Sequence, residues 1–379
     1  MGKRMLKKIL LIILSAALVL PAGCQGAPSG GEETDPPAKE KYEWSVPFYE
    51  DDFVLKHGRC YIDAENSFCE IANTASGLEV DFQGTSLYLD CSGSYSAEGV
   101  AYLCIYEDDT LYDTIAVDLV REERLIYENS DGGRHRIKIL KRSEAQYSTV
   151  TVYEVFGDGS FYPLQEEDGL KIAFYGDSIT CGLGSLPQEQ TVTEQEDGLQ
   201  TYAMLAVRKL GARADICAAS GWAIDKADWH TSDMRIPRVF RQYSLYREEI
   251  FLTEDTETDV VVVNLGTNDY TYYQNHLDEI SVFTEKYYAF YRQLRECYPS
   301  AEIVFAYGVM NWGNLVSVIG DCVKEVQERA VNEDNDPHVS CLKLYTVSAP
   351  EEIGVNGHPS LIGHEKAAED LYEFLRKFV

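Results

Sequence analysis

Positive charge is scarce in this chain. Its 379 residues hold 33 lysines and arginines against 63 aspartates and glutamates, a formal net charge of -30 at pH 7. Such a chain repels nucleic acid and anionic lipid, so neither is an expected partner. No C-x-x-C pair occurs among the ten cysteines, which argues against a zinc knot or a thioredoxin-like redox site. No clustered spacing of histidines and carboxylates points to a metal, and no cofactor is expected. The glycine–serine motif in the middle of the chain is Gly176-Asp177-Ser178, not G-x-S-x-G, so the ordinary α/β-hydrolase nucleophile elbow is not supported. The apolar run Ile9–Leu20 falls short of the about 20 residues that a membrane span needs.

That run has another reading. Lys3, Arg4, Lys7 and Lys8 precede it, and Pro21-Ala22-Gly23-Cys24 follows, in the order of a secretory signal. The pair Ala22-Gly23 before Cys24 resembles a bacterial lipobox, with Pro21 where leucine is usual. The resemblance implies a mature protein that begins at Cys24 and is lipid-anchored outside the cytoplasm, touching the membrane only through that anchor. Ordinary signal cleavage or a tethering helix is the alternative. Without Cys24 nine cysteines remain, an odd number; several sit in apolar patterns such as DICAAS and VSCLKL, and buried free thiols are expected.

At 45% hydrophobic and 25% charged residues the chain reads as globular, and its length suggests two domains. Residues 1–23 form the signal segment and 24–41, rich in Gly, Pro and charge, a flexible linker. Over 42–165, short alternating segments predict an antiparallel β-sandwich, a jelly roll. They are Leu78–Phe82, Ser86–Cys91, Ala101–Glu107, Asp113–Leu119, His135–Lys141 and Thr149–Val155. From 166 to 379 the pattern changes. KIAFYGDS, ADICAAS, TDVVVVNLGTND, EIVFAYGVM and VSCLKLY read as strands separated by amphipathic helices. Continuous apolar strands alternating with helices predict a parallel sheet covered on both faces, an α/β three-layer sandwich. In such folds ligands bind beyond the carboxyl ends of the strands.

Four segments fall at those ends. Ser178 of GDSIT is a nucleophile or a helix N-cap. Gly221 of AASGW offers its backbone N–H to a site or is a plain loop glycine. Asn268 of GTND is an oxyanion donor or a turn cap. His358 of GVNGHPS, with His364 on the last helix, is a base or an ordinary loop residue. Together and in this order they resemble the SGNH (GDSL-type) hydrolase superfamily over roughly residues 170–379. A preceding jelly roll with FQGTSLYL, RHRIKILKRSEA and MRIPRVF resembles carbohydrate esterase family 2. That resemblance implies a flavodoxin-like SGNH domain and a serine esterase that deacetylates plant polysaccharides or oligosaccharides. Ser178 would be nucleophile and His358 base. The Ser178 and Gly221 amides and the Asn268 side chain would form the oxyanion hole. Asp177 and Asp269 would bond loop amides beneath the site. Trp312 and Trp222 are the candidates for stacking on a sugar, with rim or core packing as the alternative; Trp229-His230 would help shape the cleft.

One component is missing. In many such enzymes an aspartate lies three residues before the histidine, and in this esterase family two before; here those positions are Val355 and Asn356. Replacing a triad acid by its amide costs about 10⁴-fold where the site is built around the acid. The family resemblance implies a Ser–His dyad whose Nδ1–H is accepted by a main-chain carbonyl. Asn356, or Glu351 or Glu352 folding back, are the other acceptors. Two further functions stay open: an esterase for another acetylated polymer such as peptidoglycan, and a catalytically dead carbohydrate-binding lipoprotein.

Overall fold

The computed structural model describes residues 41–94, 96–166, 168–187, 191–229 and 233–379. The signal segment, Cys24, His230 and all of the linker but Lys41 lie outside the described residues.

Between Tyr42 and Tyr162 the chain forms an antiparallel β-sandwich of jelly-roll type. Alternate residues turn inward along each strand, so Leu78, Val80 and Phe82, Leu87 and Leu89, Leu103 and Ile105, and Ile137 and Ile139 make one apolar core. The long strand Val150–Tyr162 joins the layers: its first half pairs with Ser86–Gly93 and Phe68–Ile71, its last residues with Gly77–Gln83. All six expected strands are present; Ala101–Glu107 has the expected ends and the other five are shifted at one or both ends. Five more, Tyr42–Val46, Leu55–His57, Cys60–Asp63, Phe68–Ile71 and Glu122–Glu128, were not expected. Four are only 3 to 5 residues long. The fifth, EERLIYE, is too charged to read as a strand and is defined by its partner Ser86–Cys91.

The α/β part holds five parallel strands in the order Arg213–Ala218, Lys171–Gly176, Val260–Asn264, Glu302–Val309 and Val339–Thr346. Helices Tyr202–Leu210 and Leu361–Leu375 cover one face, and Ile280–Cys297 and Leu315–Asn332 the other. Local chemistry sets the ends: Thr201 caps Tyr202–Leu210 by accepting from the Met204 amide, and Gly211 closes it in a left-handed conformation. In sequence order the strands run 2-1-3-4-5, so the winding reverses between Lys171–Gly176 and Val260–Asn264. In folds of this kind ligands bind at that switch point, at the carboxyl ends of the strands. Of the nine cysteines from Cys60 to Cys341 none is paired, and all but Cys341 are buried.

The sandwich is not a loosely hung appendage: the described residues from Lys41 to Val379 belong to one compact unit. Arg59, 1% exposed, crosses the seam. Its guanidinium pairs with Asp215 at 2.9 Å and donates to the Phe240 and Gln242 carbonyls at 2.6 and 2.7 Å. A buried cation with that many acceptors is fully satisfied. Removing it would leave its partners unpaired, a loss of typically about 3–5 kcal/mol.

Candidate active site

Ser178 follows strand Lys171–Gly176 and opens the one-turn helix Ser178–Cys181. The N-cap is Asp177, whose Oδ1 accepts from the Ile179 amide at 3.0 Å. The N-cap alternative for Ser178 is therefore corrected: the residue before it, in extended conformation, does the capping. The Ser178 hydroxyl lies 2.8 Å from Nε2 of His358.

The far nitrogen of that imidazole, Nδ1, lies 3.2 Å from the main-chain carbonyl of Val355. A carbonyl only accepts, so Nδ1 carries the proton and Nε2 presents its lone pair to the serine. Burial holds His358 below the usual histidine range, opposed by the Val355 carbonyl. The loop is fixed by main chain. The His358 amide donates to Val355 O at 3.1 Å, Gly354 N to His358 O at 2.7 Å, and Val355 N to Gly184 O at 2.9 Å. Gly184 has φ +71, and a Cβ there would meet Val355 O at 2.6 Å and the His358 side chain at 3.1 Å. Only glycine lets the serine segment pass this close to the histidine loop.

The acidic alternatives go elsewhere. Glu352 is buried and accepts from the Ser348 and Ala349 amides at 2.8 and 3.0 Å and from the Tyr345 hydroxyl at 2.9 Å, and it pairs with Lys366. Lys366 first, then the two amides, hold its carboxyl down at about 2. Glu351 is exposed. Asn356 is exposed with φ +55 inside the turn Val355–Gly357. His364 is buried in the last helix, where its Nδ1 accepts from the Tyr202 amide at 3.2 Å; burial pushes it down to about 3.

Asn268 sits in the first turn of helix Thr267–Tyr273, just past strand Val260–Asn264. The cap alternative for it is also corrected, because Gly266 holds the N-cap position. Its Nδ2 donates to Trp222 O at 2.8 Å and lies 3.4 Å from Asp177 Oδ2. The second contact is long, so one amide hydrogen remains available to a better acceptor. Gly221 has φ +80, and a Cβ there would come within 3.2 Å of Trp229 Nε1. Beneath this loop Asp269 accepts from the Ile224, Asp225 and Lys226 amides at 3.1, 2.7 and 3.2 Å. Burial pushes both Asp177 and Asp269 up to about 7.

The two tryptophans differ. Trp222 is half-buried and donates from Nε1 to Gln146 Oε1 at 2.5 Å. Trp312 is 41% exposed, edge-on to Tyr270 at 5.7 Å. Sequence reasoning missed Gly184, Glu144 and Gln146. Gly184 had a local signal in CGLG; Glu144 lies in RHRIKILKRSEA, a segment carrying the family resemblance but with no role read for it, and Gln146 just beyond had none.

A model of the GDSL-like lipase/acylhydrolase family matches residues 174–366. A cellulase/esterase of Acetivibrio thermocellus is 28% identical over 331 residues, 84% of this chain and 38% of that protein, so the chain spans well under half of that relative's length. An acetylxylan esterase/glucomannan deacetylase of Cellvibrio japonicus is 24% identical over 327 residues, 81% of this chain and 86% of that one. A family two carbohydrate esterase from Clostridium thermocellum, solved in complex with cellohexaose, shares the fold with a TM-score of 0.74 at 24% identity, covering 86% of this chain and 98% of that one.

Proposed function

The chain belongs to the GDSL-like lipase/acylhydrolase family, and from that premise we propose that it is a serine esterase removing O-acetyl groups from plant-type polysaccharides or oligosaccharides. The observation that carries the proposal is the 2.8 Å contact between Ser178 Oγ and the lone-pair nitrogen of His358, beside Gly221 and Asn268 at the switch point of the sheet. Relatives named as acetylxylan esterase/glucomannan deacetylase and cellulase/esterase, and a neighbour holding cellohexaose, support an acetylated glycan as substrate.

In this reading Ser178 Oγ attacks the acetyl carbonyl while His358 Nε2 takes its proton. The amides of Ser178 and Gly221 and the second Nδ2 hydrogen of Asn268 stabilise the oxyanion. Collapse breaks the ester bond, and His358 returns the proton to the departing sugar oxygen. Water, activated by the same imidazole, then attacks the acetyl-serine and releases acetate. The Val355 carbonyl keeps the tautomer that an aspartate keeps in a triad. The half-exposed Trp312 is the better placed of the two tryptophans to stack on a sugar ring. We further propose that the protein is exported and tethered through Cys24.

The test is hydrolysis of 4-nitrophenyl acetate by the protein and by Ser178→Ala. Equal rates would end the enzyme reading in favour of a binding lipoprotein. Acetate release from acetylated xylan rather than acetylated peptidoglycan supports the plant-glycan assignment, and the opposite preference overturns it.

A further inference from the structure

The connection after strand Arg134–Lys141 of the sandwich contacts the loop that follows strand Arg213–Ala218. There Glu144 Oε2 accepts from the Ser220 amide at 2.7 Å, and Gln146 Oε1 accepts from Trp222 Nε1 at 2.5 Å. Those are the two neighbours of Gly221. The third tether on the same loop is Asn268, through Trp222 O at 2.8 Å. Gly221, in left-handed conformation, is thus suspended between two side chains of the other half of the molecule.

Glu144 is an unusual residue to find in this place. It is fully buried, and so is Glu196, whose Oε2 accepts from the Glu144 amide at 3.1 Å. Lys141, also fully buried, donates its Nζ to the Ser143 and Glu144 carbonyls at 2.7 and 2.9 Å. Among the described residues, Oε1 of Glu144 and Oε1 of Glu196 are each buried without a partner. Burial of two neighbouring carboxyls favours the protonated form, because it penalises the charged one. Both carboxyls are accordingly pushed up. Protonated or not, the Glu144 carboxyl accepts from the Ser220 amide through Oε2.

We propose that Glu144 and Gln146 of the β-sandwich are positioning residues for the oxyanion hole, fixing the Gly221 amide through Ser220 and Trp222. The inference rests on the esterase reading. Misplacing a catalytic group by 1 Å costs about 10²-fold, so the tethers act on kcat rather than on substrate affinity.

The experiment is steady-state hydrolysis of 4-nitrophenyl acetate by the full chain, alongside thermal melting. Glu144→Met keeps the volume and removes the acceptor. It is expected to lower kcat about 10- to 100-fold with KM within about threefold. Glu144→Gln supplies an amide oxygen for Ser220 and an amide hydrogen toward Glu196, and is expected to restore kcat at least fivefold over the Met variant. A folded Glu144→Met protein with wild-type kcat, or a loss confined to KM, overturns the proposal. Should that variant not fold, Gln146→Ala decides at a half-buried position. A kcat lowered roughly three- to tenfold supports the tether, and an unchanged kcat overturns it. Ser178→Ala separates the two failures: wild-type activity that depends on Ser178 but not on these tethers sinks only this inference, whereas activity indifferent to Ser178 sinks the esterase reading as well.

Discussion

The two arms of the site are held by different means. The histidine arm is fixed by main chain: Val355 O takes both the amide and Nδ1 of His358, and Gly184 O takes the Val355 amide. The oxyanion arm is held by carboxyls: Asp269 gathers three loop amides, Glu144 takes a fourth, and Asp177 caps the serine helix. A conventional triad places an acid at the histidine. Here the acids lie under the oxyanion loop, and the histidine is oriented by a carbonyl dipole. A carbonyl fixes a tautomer as well as a carboxylate does, but it stabilises an imidazolium less. In the proposed mechanism the proton transfer would therefore lean on the preorganised oxyanion arm.

The largest test of this contrast is to remove the reacting groups themselves. Ser178→Ala and His358→Ala should each lower kcat by roughly 10⁵- to 10⁶-fold, the range seen when members of such a unit are deleted, and the double variant should be no worse than either alone. Additive losses in the double variant would mean that the pair does not act together. Next comes the oxyanion arm. Asn268→Ala should cost about 10²-fold in kcat, near 3 kcal/mol, with little change in KM. A loss carried by KM would place Asn268 among the substrate-binding groups instead.

How much of this was legible beforehand follows from how local each feature is. Ser178, Gly221 and Asn268 each sit in a short block just past an apolar strand, while His358 lies twelve residues beyond the last strand, so pattern alone could point to the blocks but not to their roles. Adjacent capping residues were not separable by sequence, because Asp177 and Ser178 are equally good caps and only the extended backbone at Asp177 decides. The acceptor for Nδ1 was legible only as a choice, since every residue carries a carbonyl. The role of Glu144 was hidden for a different reason: although it lies in the quoted RHRIKILKRSEA, its partner Ser220 is 76 residues away, in the other half of the molecule. Likewise the strands Leu55–His57 and Cys60–Asp63 exist because of their partners, not because of their own pattern.

A third, smaller effect concerns pH. A carboxylate beside Nδ1 would raise the pKa of His358; burial without one lowers it. The base works only when neutral. With its pKa depressed, it stays active below pH 6.5, the ordinary histidine value, and fails only as pH falls through the lowered value. Titration of the His358 imidazole by NMR, together with the acid limb of kcat/KM, should place the midpoint below about 6.5. A His358 midpoint above 7 would reveal an acidic partner and break the contrast.

The smallest expected effect comes from putting the acid back. Asn356→Asp restores a carboxylate two residues before the histidine. Yet Asn356 is exposed, its backbone is left-handed, and the Nδ1–H it would have to take is already donated to Val355 O. To reach the imidazole, the new carboxylate would have to break the turn Val355–Gly357 and leave the Val355 carbonyl without its side-chain donor. Aspartate also tolerates the left-handed conformation, so nothing in the backbone would drive that rearrangement. The variant should therefore keep kcat within about twofold of the parent and leave the His358 midpoint near where it was, because an exposed charge at that distance is screened by water. A tenfold gain in kcat would mean that the main-chain carbonyl is a weak substitute and that the histidine arm, not the oxyanion arm, limits the rate.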